Sequence, residues 1–222
     1  MITFLIAIKD DPEIDLATLE FQIASCLRVH DARVLVGLSA DGHGHFKTWA
    51  ARALFMDARV TLTITDDKGL YEGWNALASA ASTPWVSFLG FGDIVIQPAH
   101  FNAISKMTQG RPKINAVFSR VVILGPAHNR FFGRPYRLWQ HKIKQGAAFI
   151  GAIFDRDLVL STLFDTSYRI VGDYEWMSRA GRQFTATFAP TVSVAMEAGG
   201  MSESLVPQIK AELKRAKEKR PT

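Results

Sequence analysis

A chain of 222 residues, 48% of them apolar and 21% charged, is long enough to bury one core and too apolar to stay unfolded. Its one cysteine, Cys26, excludes an internal disulfide, and no apolar run approaches the ~20 residues that a membrane-spanning helix needs. The net charge of +5 excludes little as a sum, because its placement along the chain carries the information.

ITFLIAI (2–8) is a short apolar run and predicts a strand. Met1 leads straight into it with no basic start, so the expectation is a chain without a leader that works in the cytoplasm. Residues 15–28 place Leu16, Leu19, Ile23 and Leu27 at helical spacing. RVLVGLS (33–39) predicts a second strand, followed by a polar loop with Gly42 and Gly44. Residues 46–56 predict a helix, VTLTIT (60–65) a β-branched strand, 71–82 an Ala-rich helix, and WVSFL (85–89) a fourth strand. Strands alternating with helices argue for parallel strands joined by crossover helices, a Rossmann-like α/β sheet. In such sheets ligands bind at the carboxyl ends of the strands.

Asp41 and Asp93 lie just past predicted strand ends, and Asp67 nearly so, which makes that edge a candidate site. Beyond Asp93, residues 98–109 predict a helix between Pro98 and Gly110, and 115–124 a strand. GPAHNRFFGRPYRLWQHKIK (125–144) has no clear period and reads as an irregular functional stretch. AAFIGAIF (147–154) is apolar again, and GDYEWMSRAG (172–181) predicts a short helix. Residues 94–154 hold nine Lys or Arg and no acidic residue, while 208–222 hold six basic and two acidic residues. The rest of the chain is therefore acidic. That asymmetry suits phosphates of a small ligand, an anionic membrane or nucleic acid, and is equally consistent with a solvated basic surface. The final helix, 202–219, carries only a narrow apolar stripe at Leu205, Ile209 and Leu213, so a solvated tail or marginal contact with anionic lipid is expected.

Asp93 follows a buried strand through Gly90, Phe91 and Gly92. A divalent cation such as Mg²⁺ or Mn²⁺ needs only one or two protein carboxylates when water and substrate phosphates complete its shell. The plainer reading is an aspartate that closes a turn. Asn75 falls beside the apolar face of its helix, where a donor ligand or a neighbouring loop would have to satisfy its amide. Asp173 suits a helix N-terminus as a cap or a general base, with Glu175 as a competitor. The six histidines show no metal-ligand spacing, and no G-x-S-x-G, P-loop or G-x-G-x-x-G pattern occurs.

DKGLYEGWNALASAASTPWVSFLGFGDIV (67–95) and FDTSYRIVGDYEW (164–176), in this order, resemble two signature runs of the family 2 glycosyltransferases. The likeness is strongest to the colanic-acid type of bacterial surface-polysaccharide enzymes. SADG (39–42) and AGGMS (198–202) resemble two shorter loops of the same family. Gly90-Phe91-Gly92-Asp93 stands where the family has N-S-G-D, and Lys144-Gln145 where it has His before Gln.

The resemblance implies a GT-A fold, a Rossmann-like, mostly parallel central sheet with flanking helices. Residues 1–97 would bind the nucleotide-sugar, 98–204 would form the acceptor-binding half, and 205–222 a basic helix. It implies that Asp93 binds Mn²⁺ or Mg²⁺, that Asp41, Asp67 and Lys68, with Asn75, contact a UDP- or GDP-sugar, and that Asp173 is the catalytic base of an inverting transfer. The implied acceptor is a glycan or a lipid-linked glycan at the inner face of the membrane, with no nucleic acid as partner. A catalytically weakened nucleotide-sugar or anionic-surface binder on the same fold is the alternative.

Overall fold

β1 spans Ile2–Ile8, and all seven side chains are buried. A strand covered on both faces belongs inside a parallel sheet. The computed structural model bears this out: β1 lies between β2 (Ala32–Ser39) and β4 (Trp85–Leu89) and is parallel to both. β3 (Val60–Thr65) pairs in parallel with β2 and forms the sheet's edge. The structure describes residues 1–9, 14–39, 45–65, 69–108, 113–198 and 206–218. Asp41, Asp67 and Lys68 lie outside the described residues.

Crossover helices join these strands. α1 (Leu16–Leu27) begins at Asp15, whose carboxylate accepts the backbone N–H groups of Ala17 and Thr18, a cap worth about 1 kcal/mol. The helix expected over 46–56 is two pieces, α2 (His45–Ala50) and a 3₁₀ turn at Ala53–Met56. α3 (Leu70–Ala80) leads from β3 into β4.

The second half continues the same sheet with changed direction. It contains β5 (Ile94–Val95), α4 (Pro98–Asn102), α5 (Ile104–Thr108), β6 (Ala116–Leu124), β7 (Arg130–Phe132), α6 (Leu138–Ile143), β8 (Ile153–Asp155), α7 (Arg156–Ser161), α8 (Gly172–Ala180), β9 (Ala186–Glu197) and α9 (Val206–Glu218). The strand order is β3-β2-β1-β4-β8-β6-β9-β5, with β7 on β6. β8 enters antiparallel between β4 and β6, and β9 runs parallel to β6 and antiparallel to β5. The expected helix over 98–109 is broken at Ala103 into α4 and α5.

Alternation along β1 divides the core into two layers. Leu5 and Ala7 face α3 and α8, while Phe4, Ile6 and Ile8 face α1, α4 and α5. The first layer is dominated by rings. Trp176 sits 4.9 Å from Phe154 and 5.3 Å from Phe164, and Trp74 lies 5.2 Å from Phe88. Each such large side chain contributes about 2–3 kcal/mol on burial. This aromatic layer fixes α3 against α8, and so sets where Asp173 stands.

Candidate active site at the carboxyl edge of the parallel strands

β1, β2, β3 and β4 all end on one edge, because Ile6 registers with Leu89, Ile8 with Leu38, and Ser39 with Thr65. Asp93 follows β4 there by four residues. Its side chain is only 5% exposed. Its Oδ2 accepts the Gly90 N–H at 2.6 Å, and its own N–H donates to the Gly90 carbonyl at 3.3 Å. The carboxylate thus closes its own turn, as the plainer reading expected.

The two glycines have separate reasons. Gly92 has φ of +83°, a conformation that costs other residues about 1–2 kcal/mol. A Cβ at Gly90 would meet Asp93 Oδ2 at 3.2 Å.

A residue that the spacing rules did not single out braces this turn. Gln22 of α1 is fully buried; its Nε2 donates to the Gly90 carbonyl at 2.6 Å and its Oε1 accepts the Gly92 N–H at 3.1 Å. Ser25, one turn on, accepts the Val95 N–H at 3.0 Å. The signal was present: Gln22 interrupts the apolar face between Leu19 and Ile23, and a polar side chain there needs partners.

Burial pushes the Asp93 carboxyl up to about 7, opposed by the single Gly90 N–H. Among the described residues no three His, Cys, Asp or Glu side chains gather as a metal-ligand group. Among the described residues this buried carboxylate meets one neutral donor and no ion pair, and it is electrostatically short of positive charge. That fits a hard divalent ion whose remaining ligands are water and substrate phosphate.

Asp173 lies in the first turn of α8, which has no side-chain cap; Val171 occupies the capping position. Asp173 Oδ1 accepts the Tyr174 N–H at 2.8 Å. Burial raises its proton affinity, against hydrogen bonds from the Tyr174 N–H, the Gln145 side chain and its own N–H. Tyr71 stands in the first turn of α3, just after β3. Its hydroxyl donates to the Ile170 carbonyl at 2.6 Å, and its ring lies where any Cβ on Gly172 would collide. Asp173 is thereby held over the opening turn of α3, on the same edge as Asp93. Glu175 is committed elsewhere: its two oxygens accept Arg179 Nε at 2.9 Å and Nη2 at 3.1 Å.

Asn75 meets a neighbouring loop. Its Nδ2 donates to the Phe164 carbonyl at 3.0 Å and its Oδ1 accepts the Phe164 N–H at 2.9 Å. One N–H and the oxygen of the amide hold the chain that leads to Asp173.

The final helix corrects the expectation of a solvated tail. Ile209, Leu213 and buried Ala216 of α9 pack on the aromatic layer. Glu212, between them, is 8% exposed and accepts three consecutive backbone N–H groups, from Arg169 at 3.1 Å, Ile170 at 2.9 Å and Val171 at 3.1 Å. Burial works against its charge, but these donors prevail and hold its proton affinity below the ordinary value of 4.5. Arg215 adds a cation over the Tyr168 ring at 4.0 Å and a bond to the Ser167 carbonyl at 2.7 Å.

Glu212→Gln is expected to cost about 1.5–3 kcal/mol, the range for hydrogen bonds to a charged group, read as a lower urea midpoint. Because the folded group holds its proton less tightly, its contribution is present above 4.5 and fades as the pH falls below it. An unchanged midpoint at neutral pH would show the clamp to be dispensable.

The open groove lined by Glu20, Phe21, Arg52, Leu54 and Asp57 contains neither Asp93 nor Asp173.

No protein-family model matches the sequence, and no curated protein matches it. Solved structures do. S. aureus TarS 1–349 in complex with UDP-GlcNAc superimposes with a TM-score of 0.69 at 10% identity, over 97% of this chain and 65% of that one. The mannosyltransferase PcManGT from Pyrobaculum calidifontis, in complex with GDP-Man and Mn²⁺, gives 0.64 at 15% identity, over 96% of this chain and 64% of that one. The chain thus spans just under two thirds of the length of these two proteins. What it shares with them at such identities is the fold, and that fold is the GT-A architecture.

Proposed function

We propose that the chain is an inverting glycosyltransferase that moves a sugar from a UDP- or GDP-sugar to a hydroxyl of a glycan or lipid-linked acceptor, in bacterial surface-polysaccharide synthesis. The observation that carries this is a pair of carboxylates at the carboxyl edge of the parallel strands, Asp93, buried after β4, and Asp173, half-buried in the first turn of α8 beside Tyr71. The solved structures of the same fold hold UDP-GlcNAc or GDP-Man with Mn²⁺, which supports a nucleotide-sugar donor and a divalent ion.

Asp93 would hold Mn²⁺ or Mg²⁺, and a divalent ion there supplies charge neutralisation to the departing nucleoside diphosphate. Asp173 takes the proton of the acceptor hydroxyl as it attacks the anomeric carbon from the face opposite the leaving group. The raised proton affinity of Asp173 suits that task, since a stronger base pulls harder on the proton. Asp41, Asp67 and Lys68, which follow β2 and β3 in sequence, are assigned to the donor by their likeness to the family's motifs. Asn75 holds Phe164 with one N–H and its oxygen, and its second N–H is assigned to the donor. Residues 98–204 would receive the acceptor. No described helix is long and apolar enough to cross a membrane, and the proposed place of work is the cytoplasm at the inner membrane face.

The test is to incubate the purified chain with Mn²⁺ and a panel of UDP- and GDP-sugars, reading thermal stabilisation and nucleoside diphosphate release. A donor in excess of its Kd by 100-fold stabilises by about 2.7 kcal/mol. A panel that neither stabilises nor turns over would remove the proposal. A second reading, a binder with weakened catalysis, is favoured by the inward turn of Asp93 onto Gly90. It predicts stabilisation without release.

A further inference from the structure

We propose that residues 130–144 form a docking surface for an anionic lipid membrane. Three large apolar side chains stand in solvent within this one segment: Phe131 at 69% exposure, Trp139 at 61% and Ile143 at 72%. Isolated exposed apolar residues are ordinary on a protein surface. Here two of them stand on one anchored helix, α6, and the third on the strand β7 just before it in sequence.

The anchor is on the opposite face of α6. His141 is buried, its Nε2 lies 3.1 Å from the Tyr174 carbonyl, and its ring stacks on Tyr174 at 4.7 Å. Tyr136, just before the helix, stacks on Phe118 at 5.2 Å and bonds to the Met177 carbonyl at 2.7 Å. Trp139 and Ile143 are four residues apart, so they share the outward side. α6 is thus fixed by one face and presents the other.

Charge complementarity selects the occupant. Arg134 and Arg137 precede α6 and Lys144 follows it, all three exposed, and no acidic residue occurs from 94 to 154. A tryptophan and an aliphatic side chain entering the acyl boundary, with Lys and Arg at headgroup level, is the composition of an interfacial membrane element. Ile143 favours lipid over a soluble glycan, because an isoleucine gains little against a sugar ring and much against hydrocarbon. The narrow stripe of α9 offers no rival surface, since Ile209 and Leu213 pack inward. The inference deepens the proposed place of work at the membrane face, and it is tested separately from sugar transfer because vesicle binding is read without substrate.

The test is co-sedimentation of the full chain with phosphatidylglycerol and with phosphatidylcholine vesicles at rising salt. Binding to the anionic vesicles that falls steeply with salt is expected, with little on the neutral ones. Trp139→Ala with Ile143→Ala should lower the partition coefficient roughly tenfold or more. Arg134→Glu, Arg137→Glu and Lys144→Glu together should lower it roughly a hundredfold or more. All five side chains are exposed, so both variants should melt with the parent. No binding to phosphatidylglycerol, or binding that both variants retain, would overturn the proposal. Retention of soluble polygalacturonate that both variants lose, without vesicle binding, would overturn it in favour of a glycan surface.

Discussion

Replacing Asp173 by Asn is expected to lower sugar transfer by about 10²–10⁴-fold, the range a positioned general base supplies, while leaving donor affinity unchanged. The physical basis is burial. The carboxyl of Asp173 holds its proton more tightly than the ordinary value of 3.8, because desolvation outweighs the hydrogen bonds from the Tyr174 N–H, Gln145 and its own backbone. A base acts only when unprotonated, so kcat/KM should rise with pH through that elevated value, and the Asn variant should lose this limb. The stability follows the opposite course. The folded chain binds a proton that the unfolded chain has released, so Asp173 makes the fold less stable as the pH rises from 3.8 through the raised value. The Asn variant, inactive, should therefore unfold no earlier than the parent at neutral pH. Full activity in the variant would end the assignment, and Glu175, paired with Arg179, offers no replacement.

Asp93→Asn should produce two effects of opposite sign. At pH 8 it should stabilise the free chain by about 1–4 kcal/mol, the larger figure being the full equivalent of a three-unit displacement. The same variant should abolish the extra stabilisation that Mn²⁺ gives in the presence of UDP or GDP. The folded carboxyl is pushed up to about 7 from 3.8, so its stabilising protonation is complete below 3.8 and lost as the pH rises through 7. Asparagine keeps an oxygen for the Gly90 N–H and cannot ionise, so it retains the turn and removes the cost of a buried charge. Thermal melts of both proteins across pH 4–9, with and without Mn²⁺ and nucleotide, separate the two readings of this aspartate. If the substitution destabilised the free chain and left the Mn²⁺ effect intact, the carboxylate would be a turn closure alone.

The first half of the fold was legible because its pattern is strong. β1 to β4 are apolar strands separated by helical stretches, of which only the one over 46–56 breaks into two pieces, and parallel pairing follows from that alternation. β9 (Ala186–Glu197) went unread for a physical reason. Pro190 interrupts it, and much of its first half is only partly covered, so no clean alternation marks it. Its buried run Ser193–Ala195, beside β-branched Val192, was the available signal. The short helices α4 and α5, read as one, part at Ala103, which no breaker residue announces.

The site was legible by position and not by partnership. Asp93 and Asp173 could be placed at strand and helix ends. The residues that hold them could not, because Gln22 lies 68 positions before the Gly90 it binds, and Glu212 lies 41 to 43 positions after its three donors. Contacts at such separation leave no local period. What they leave is a polar residue in an apolar stripe, and both Gln22 and Glu212 are that.

The dependence of the Asp173 loop on Glu212 has a temporal consequence. On the ribosome the 169–171 backbone emerges some forty residues ahead of the carboxylate that must accept its hydrogen bonds. Until that carboxylate is synthesised and its helix docks, the three amides have only water. Competence for chemistry would then arrive as a late step in biogenesis, after the nucleotide-side sheet has already formed.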